Sequence, residues 1–285
     1  KGRLRWGEAM VKTMKKLAFI GVGNMASAII SGILPSGAKV ASANDLVLFD
    51  RSATQCASFA ARGVEVAKSA PDAVKSAEYV LIAVKPQNLG ELLDELSPLD
   101  LDNKTFISIC AGVSTETISR RLGKDIPIVR CMPNTPLSIG LGVTAMSRNR
   151  LVSDAGYDFA RGIFTAAGMV IDLDESQMNT VICVNGSSPA YFYYFIDAMV
   201  KSARAQGLDC DNIVEAVCRT IIGSAEMLMR SGKTPEELIR AVTSPKGTTE
   251  RAMNELYAAD VASTIDKAMR ACTERAEEMP KEFGI

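Results

Sequence analysis

Leu17-Ala18-Phe19-Ile20-Gly21-Val22-Gly23-Asn24-Met25-Ala26 is the stretch whose reading decides the fold. A short apolar run meets two glycines one residue apart and then a second apolar run, which reads as strand, tight turn and helix. Gly21 allows the sharp turn, Gly23 removes the side chain that would keep a pyrophosphate off the backbone, and the small Ala26 lets the helix pack close to the strand. The N–H groups opening the helix then face an anion. Taken alone the pattern is also an ordinary turn; the strand before it and the helix after it make it a dinucleotide-site candidate.

Working outward, the run 45–50 supplies a second strand ending in the carboxylate of Asp50, where many dinucleotide folds hold a ribose 2′-OH. Arg51 and Ser52 follow at once, a cation and a hydroxyl suited to a 2′-phosphate. NADP(H) is therefore favoured and NAD(H) stays open. A helix over 53–62, a brief strand at 64–66, a helix near 72–77 and an apolar strand over 79–84 come next. That strand ends in Lys85-Pro86, at the edge where parallel sheets bind ligands, though a surface turn with a solvated lysine reads as well. A strand over 105–111 runs into Gly112 and a helix capped by Ser114. Another strand, 126–132, is closed by Pro133-Asn134-Thr135-Pro136, a rigid turn that brings Asn134 to the same sheet edge. Strands at 142–146 and 169–173 flank a helix over 154–165. This alternation predicts an α/β fold with a doubly wound sheet.

Beyond Asp174 the period changes to 3.6 residues, so the expected domains are 15–173 and a helical 174–285. Helices are predicted at 175–184, 189–206, 211–230, 235–242, 249–258 and 261–283. Thr234-Pro235-Glu236-Glu237 is a capping box, and Gly207 and Gly232 fit helix stops. The five aromatics 191–195 cover more than one helical face and read as packing in a core or a subunit interface. Thr243-Ser244-Pro245-Lys246-Gly247-Thr248-Thr249-Glu250 is a hydroxyl-rich turn entering a helix. It reads as an ordinary cap, or as a carboxylate site with Ser244 and the N–H groups of 247–249 as donors.

Composition narrows the function classes. The 285 residues are 47% apolar and 23% charged, with 32 basic and 33 acidic side chains and a net charge of -1, an ordinary globular balance with no electrostatic pull toward nucleic acid or an anionic membrane. Seven cysteines without a C-x-x-C spacing read as reduced residues of a cytoplasmic protein, and neither a disulfide framework nor a metal site is expected. Histidine is absent, so no imidazole base, triad or metal ligand is available. The uncharged stretch 176–196 is long enough to suggest a membrane span, but Asn185, Gly186, Ser187, Ser188 and Pro189 interrupt it, giving two helices and a turn. Residues 1–14 are expected to be a disordered extension or cloning remnant ahead of a natural start near Met14.

These motifs together resemble the pyrroline-5-carboxylate reductase family. The resemblance runs from residue 15 to about 280 and rests on Ile20-Gly21-Val22-Gly23-Asn24-Met25, Ala83-Val84-Lys85-Pro86, Cys110-Ala111-Gly112, Met132-Pro133-Asn134-Thr135-Pro136, Gly186-Ser187-Ser188-Pro189-Ala190-Tyr191, and Thr243-Ser244-Pro245 with Gly247-Thr248-Thr249. It implies a Rossmann domain, an all-α C-terminal dimerisation domain interlocking with a partner as a homodimer or a larger assembly, and reduction of 1-pyrroline-5-carboxylate to proline by NAD(P)H. It further implies that Gly21, Val22, Gly23, Asn24, Met25, Ala83, Val84, Lys85, Pro86, Cys110 and Ala111 hold the cofactor. Glu175, Thr248 and Thr249 would lie at the substrate. Two positions depart from the family pattern, Ser188 and Lys246, both usually glycine. The reaction suits a chain without histidine: a protonated cyclic imine already accepts hydride, so orientation and exclusion of water suffice. The expected division has the 248–250 helix start hold the carboxylate and the Thr249 hydroxyl contact the ring nitrogen as the catalytic group. The competing readings are a related imine reductase, a 3-hydroxyacid dehydrogenase, which would need a lysine base where 175–206 offers only Lys201, and a non-catalytic NADPH-binding regulator.

Overall fold

The computed structural model describes residues 14–36 and 40–285, so the expectation for residues 1–14 falls, Met14 apart, outside the described residues. The chain forms two compact units, one of residues up to 186 together with 275–285 and one of 187–274.

The first unit alternates β1 (Lys15–Ile20), α1 (Asn24–Ile33), β2 (Leu46–Phe49), α2 (Ala53–Ala60), β3 (Glu65–Val66), α3 (Ala70–Ser76), β4 (Ala77–Ile82), α4 (Leu89–Leu96), β5 (Thr105–Ser108), α5 (Thr115–Leu122), β6 (Ile128–Met132), β7 (Gly142–Arg148), α6 (Asp154–Thr165) and β8 (Gly168–Asp172). The strands lie in one sheet in the order β3-β2-β1-β4-β5-β6-β7-β8. All pairs are parallel except β6 with β7. The reversal has a local cause, because the turn over 133–141 is too short for a crossover and the chain returns beside β6.

Both faces of the sheet are covered, which is why the central strands are apolar runs. Leu17 and Phe19 join Ile29, Ile30 and Phe164 in one core, while Ala18 and Ile20 join Val80, Leu93 and Phe106 in the other, the alternation a strand imposes. The sequence reading contains no helix between 86 and 105. The structure has α4 there, with Leu89, Leu92, Leu93 and Leu96 buried at helical spacing.

Two features move the division between units away from the expected 173/174 boundary. Residues 175–184, read as a helix, form a 3₁₀ turn (Glu175–Gln177) and a π-helical turn (Ile182–Gly186) that stay with the sheet. Met178 and Val181 pack on Ala145, and the Asn185 amide donates to the carbonyls of Met132 at 2.7 Å and Val143 at 3.1 Å. The chain end also returns to the sheet unit: Ile285 packs on the second core, and a Cβ at Gly112, whose φ is 78°, would stand 2.5 Å from the Ala276 carbonyl oxygen.

The second unit consists of α7 (Ser188–Ala205), α8 (Ile213–Ser231), α9 (Pro235–Val242), α10 (Thr248–Ala258) and most of α11 (Val261–Glu282). Gly207 and Gly232 take φ values of 90° and 66°, the left-handed stop expected of them. Thr234 and Glu237 close a reciprocal capping box on α9. Within one chain this unit buries little. Phe192, Tyr193, Tyr194 and Phe195 are all exposed, as are Met199, Ile222, Met227, Met229 and Tyr257. The aromatic run is therefore not a core within one chain. Among the described residues no helix is long and apolar enough to cross a membrane.

Candidate active site

The sheet order reverses at β1, whose neighbours are β2 on one side and β4 on the other, and ligands of open α/β sheets bind at such a crevice. The Gly21 N–H donates to the Phe49 carbonyl and the Ala83 N–H to the Ile20 carbonyl, each at 2.8 Å, so the two strand ends and the turn are locked together. Gly21 has a φ of 92°, and a Cβ there would stand 2.8 Å from the Ala83 carbonyl oxygen; the fold itself demands glycine. Gly23 differs. Its φ is an ordinary -73°, and an added Cβ would meet nothing within 4 Å. The open space above Gly23 leaves room for a group to approach the backbone. Helix α1 begins there with no side-chain cap and no acid in its first turn, so its opening N–H groups suit an anion.

Asp50 holds this turn in shape. One carboxylate oxygen accepts the Val22 N–H at 2.7 Å and the other the Ser52 N–H at 2.8 Å. These bonds leave each oxygen further acceptor capacity toward a ribose hydroxyl. A cleft of about 300 Å³ opens here, lined by Gly21, Gly23, Asp50, Arg51, Ser52 and Lys85 among others. Ala83 and Val84, which follow β4, also line it. Sequence reading missed further lining residues: Ile20, Phe49 and Gln55, and also Asn88, Leu92 and Glu95, the last three because it missed α4, for which the leucine spacing of 89–96 was the signal.

The remaining expected cofactor residues lie close by in sequence and structure without lining that cleft. Val22 is buried, Met25 packs partly on the core and Asn24 is exposed. Pro86 opens a 3₁₀ turn that leads to α4. The Cys110 thiol donates to the Val84 carbonyl at 3.5 Å, tying the 83–86 and 110–112 segments together. Burial pushes that thiol up to about 12, so it is a neutral donor and no nucleophile. The buried Asn134 accepts the Val143 N–H at 2.8 Å and so holds the turn between β6 and β7.

Glu175 is engaged by protein on both oxygens. It accepts the Thr115 N–H at 2.6 Å and the Thr115 hydroxyl at 2.5 Å, and it stands 3.7 Å from the buried Arg130 guanidinium. Burial pulls Arg130 below its ordinary value while Glu175 holds it up. The Arg130 guanidinium also donates to Asn179 at 2.6 Å. Glu175 thus caps the start of α5, the helix that follows the Cys110–Gly112 turn.

Within the second unit, the Gly247 N–H donates to the Ser244 carbonyl at 3.0 Å, closing a tight turn ahead of α10. A Cβ on Gly247 would stand 2.9 Å from the Ser244 carbonyl oxygen, a backbone atom held by the turn, so the position favours glycine. Gly247 caps α10 without a side-chain bond, and Thr248 is exposed while Thr249 is half-buried. Lys246 sits at a φ of 60°, the left-handed region that explains glycine at this place in the family pattern.

Comparison with known proteins places both units. Residues 175–279 match the family model for pyrroline-5-carboxylate reductase dimerisation, and residues 16–112 match that for NADP oxidoreductase, coenzyme F420-dependent. The pyrroline-5-carboxylate reductase of Haemophilus influenzae is 36% identical over 94% of this chain and 99% of its own length. This chain belongs to the pyrroline-5-carboxylate reductase family. The reductase of that name from Pseudomonas aeruginosa is 34% identical over 94% of this chain and 98% of its own. Among solved pyrroline-5-carboxylate reductases, the Coxiella burnetii structure superimposes with a TM-score of 0.83 at 32% identity, covering 93% of this chain and 98% of that one. The Plasmodium falciparum pyrroline carboxylate reductase with NADP bound gives 0.84 at 28% identity, covering 94% and 98%.

Proposed function

We propose that this chain reduces 1-pyrroline-5-carboxylate to L-proline with NADPH as the hydride donor. The observation that carries the reading is the likeness to reductases of that name over nearly the whole chain, in a molecule whose cleft at β1 is lined by the glycine turn and by Arg51 and Ser52. The cofactor fits the residues present: Gly23 leaves its backbone open, and the uncapped start of α1 suits the pyrophosphate.

In this reading the backbone of Gly21, Val22, Gly23, Asn24 and Met25 holds the pyrophosphate, and Arg51 with Ser52 holds the 2′-phosphate. Ala83, Val84, Lys85 and Pro86, with Cys110 and Ala111, bound the nicotinamide end, and Asn134 fixes the neighbouring turn. When bound, the reduced nicotinamide supplies a hydride. The chain's own part is positional. Ser244, Gly247 and Thr248 hold the substrate carboxylate at the start of α10, and the Thr249 hydroxyl hydrogen-bonds the ring nitrogen and keeps it oriented. Glu175 serves this arrangement by fixing α5 behind the Cys110–Gly112 turn. Overall, the imine carbon gains the hydride, the nitrogen keeps its proton, and proline leaves with oxidised nucleotide.

The exposed apolar faces of α7, α8, α9 and α10 support a homodimer formed through the helical unit. Light scattering on the purified chain should give at least twice the monomer mass; a monomer would rule the assembly out. Free cysteines, with Cys56, Cys110, Cys131 and Cys183 buried, support a cytoplasmic setting.

Absorbance at the NADPH band tests the activity. Oxidation on adding 1-pyrroline-5-carboxylate supports it; reduction of NADP with 3-hydroxy acids instead would support a dehydrogenase. NADPH binding without turnover would support a regulator. The dehydrogenase is disfavoured by Lys201, the one lysine on α7, which is exposed and held as a cation by Asp197 at 2.6 Å. Thr249→Val should cut turnover severely and leave nucleotide affinity nearly intact; unchanged turnover refutes the role given to Thr249.

A further inference from the structure

The nucleotide cleft carries an acidic feature that the proposed reaction does not use. Arg51, at its rim, is held by Glu91 of α4, with guanidinium nitrogen and carboxylate oxygen 2.6 Å apart. Both side chains are exposed, at 58% and 69% of their full areas. The pair makes Arg51 hold its proton more firmly, through the Glu91 hydrogen bond first and with Glu95 adding attraction at longer range. Glu91 and Glu95 stand one helical turn apart, and Glu95 and Asp50 both line the cleft. So exposed an ion pair does little for stability. Its consequence falls on whatever else needs Arg51.

We infer that Glu91 is a specificity-determining positioning residue of this cleft: it competes for Arg51 with the 2′-phosphate of an incoming nucleotide and so lowers discrimination in favour of NADPH over NADH. This rests on the nucleotide reading given above. Glu91 takes one nitrogen of the guanidinium, Nη2, which belongs to both of its bidentate edges, so a 2′-phosphate that binds Arg51 bidentately has to share that nitrogen with Glu91 or displace it. Asp50 and Glu95 line the cleft opposite in charge to Arg51 and Lys85, so while Glu91 engages Arg51 the phosphate meets two carboxylates with Lys85 as the remaining cation of the lining. A nucleotide without that phosphate makes no claim on Arg51 and is indifferent to Glu91. Position 91 therefore acts on one of the two nucleotides through a residue it does not share with the other.

The test uses the full chain, isothermal calorimetry, and two fragments, adenosine 2′,5′-bisphosphate and adenosine 5′-monophosphate, so that it reads binding and not turnover. Glu91→Gln keeps the length and polarity of the side chain and removes its charge. The bisphosphate should bind about threefold more tightly, the gain an exposed pair of this kind can release, while the monophosphate changes by less than about half that factor. Glu91→Ala should act in the same direction. In an Arg51→Ala background, Glu91→Gln should lose most of its effect on the ratio. An unchanged ratio in Glu91→Gln, or a bisphosphate bound more weakly, overturns the inference while leaving the nucleotide reading intact. If the unmodified chain binds neither fragment and no NADPH, the nucleotide reading itself fails and takes the inference with it.

Discussion

The two glycines of the first turn should respond in opposite ways to the same methyl group. At Gly21 the new Cβ lies 2.8 Å from the Ala83 carbonyl oxygen and 2.9 Å from its carbon, and φ is 92°. Neither neighbour can yield, because Ala83 is bonded to Ile20 at 2.8 Å inside the sheet. The left-handed backbone costs an alanine roughly 1–2 kcal/mol and the overpacking roughly 1–3 more. Gly21→Ala should therefore lose about 2–5 kcal/mol and unfold roughly 5–15 °C lower. At Gly23 the Cβ meets nothing and φ is ordinary. The entropy gained from a stiffer unfolded chain, about 0.4–1 kcal/mol, is offset by the weaker capping of alanine, leaving stability within about 0.5 kcal/mol of the parent. Nucleotide affinity should nevertheless fall about tenfold or more, because the methyl occupies the space the pyrophosphate needs. Thermal unfolding and calorimetric titration with NADPH on both variants read the two effects. A Gly23→Ala chain that binds NADPH like the parent, or a Gly21→Ala chain as stable as the parent, would refute the reasoning.

Three further outcomes follow from other parts of the molecule. Glu175→Ala removes two charge-assisted hydrogen bonds and leaves Arg130 without its carboxylate; discounted for a side chain 31% exposed, the loss is about 3 kcal/mol, and a raised KM for 1-pyrroline-5-carboxylate with unchanged unfolding would instead make Glu175 a direct substrate ligand. Lys246→Gly relieves a φ of 60° while keeping the backbone bond to Glu250, so urea unfolding should show no more than about 1 kcal/mol of change, net of the added chain entropy, and turnover should persist; loss of turnover would assign the lysine side chain a part in the site. Asp172 is held below the usual carboxylate range by the Arg161 hydrogen bond first and the Tyr157 hydroxyl second. Its contribution is complete above about pH 4 and lost as pH falls through the lowered folded value. Asp172→Asn should flatten the fall in the urea midpoint on that acid side, and an unaltered acid limb would refute the linkage.

Side-chain caps fix the limits of two helices as sequence reading places them, though not of α3, which Ser69 caps and which runs from Ala70 to Ser76 where 72–77 is expected. Helices α6 and α9 run over the expected 154–165 and 235–242, because Ser153 and Thr234 bond the third N–H beyond them. Helix α4 starts after Asn88 without a side-chain cap and carries Gly90 in its first turn, so its leucines were the only signal. The direction of β7 is invisible in a list of strands and follows only from the short turn before it. In the site, the turn at 21–23 is legible because backbone conformation alone sets it. The roles of Asp50 and Glu175 are not: a carboxylate can face a ligand or a loop N–H equally well, and Glu175 meets a partner 60 residues away. Glu91 is hidden for the same reason, since its partner Arg51 comes from another element.

The transfer itself can be followed with an isotope. NADPH deuterated at the transferable position of its nicotinamide, incubated with this chain and 1-pyrroline-5-carboxylate, should yield proline carrying deuterium at C5, read by mass spectrometry and NMR. Unlabelled proline, or nucleotide that stays reduced while bound, would contradict direct hydride transfer by this protein.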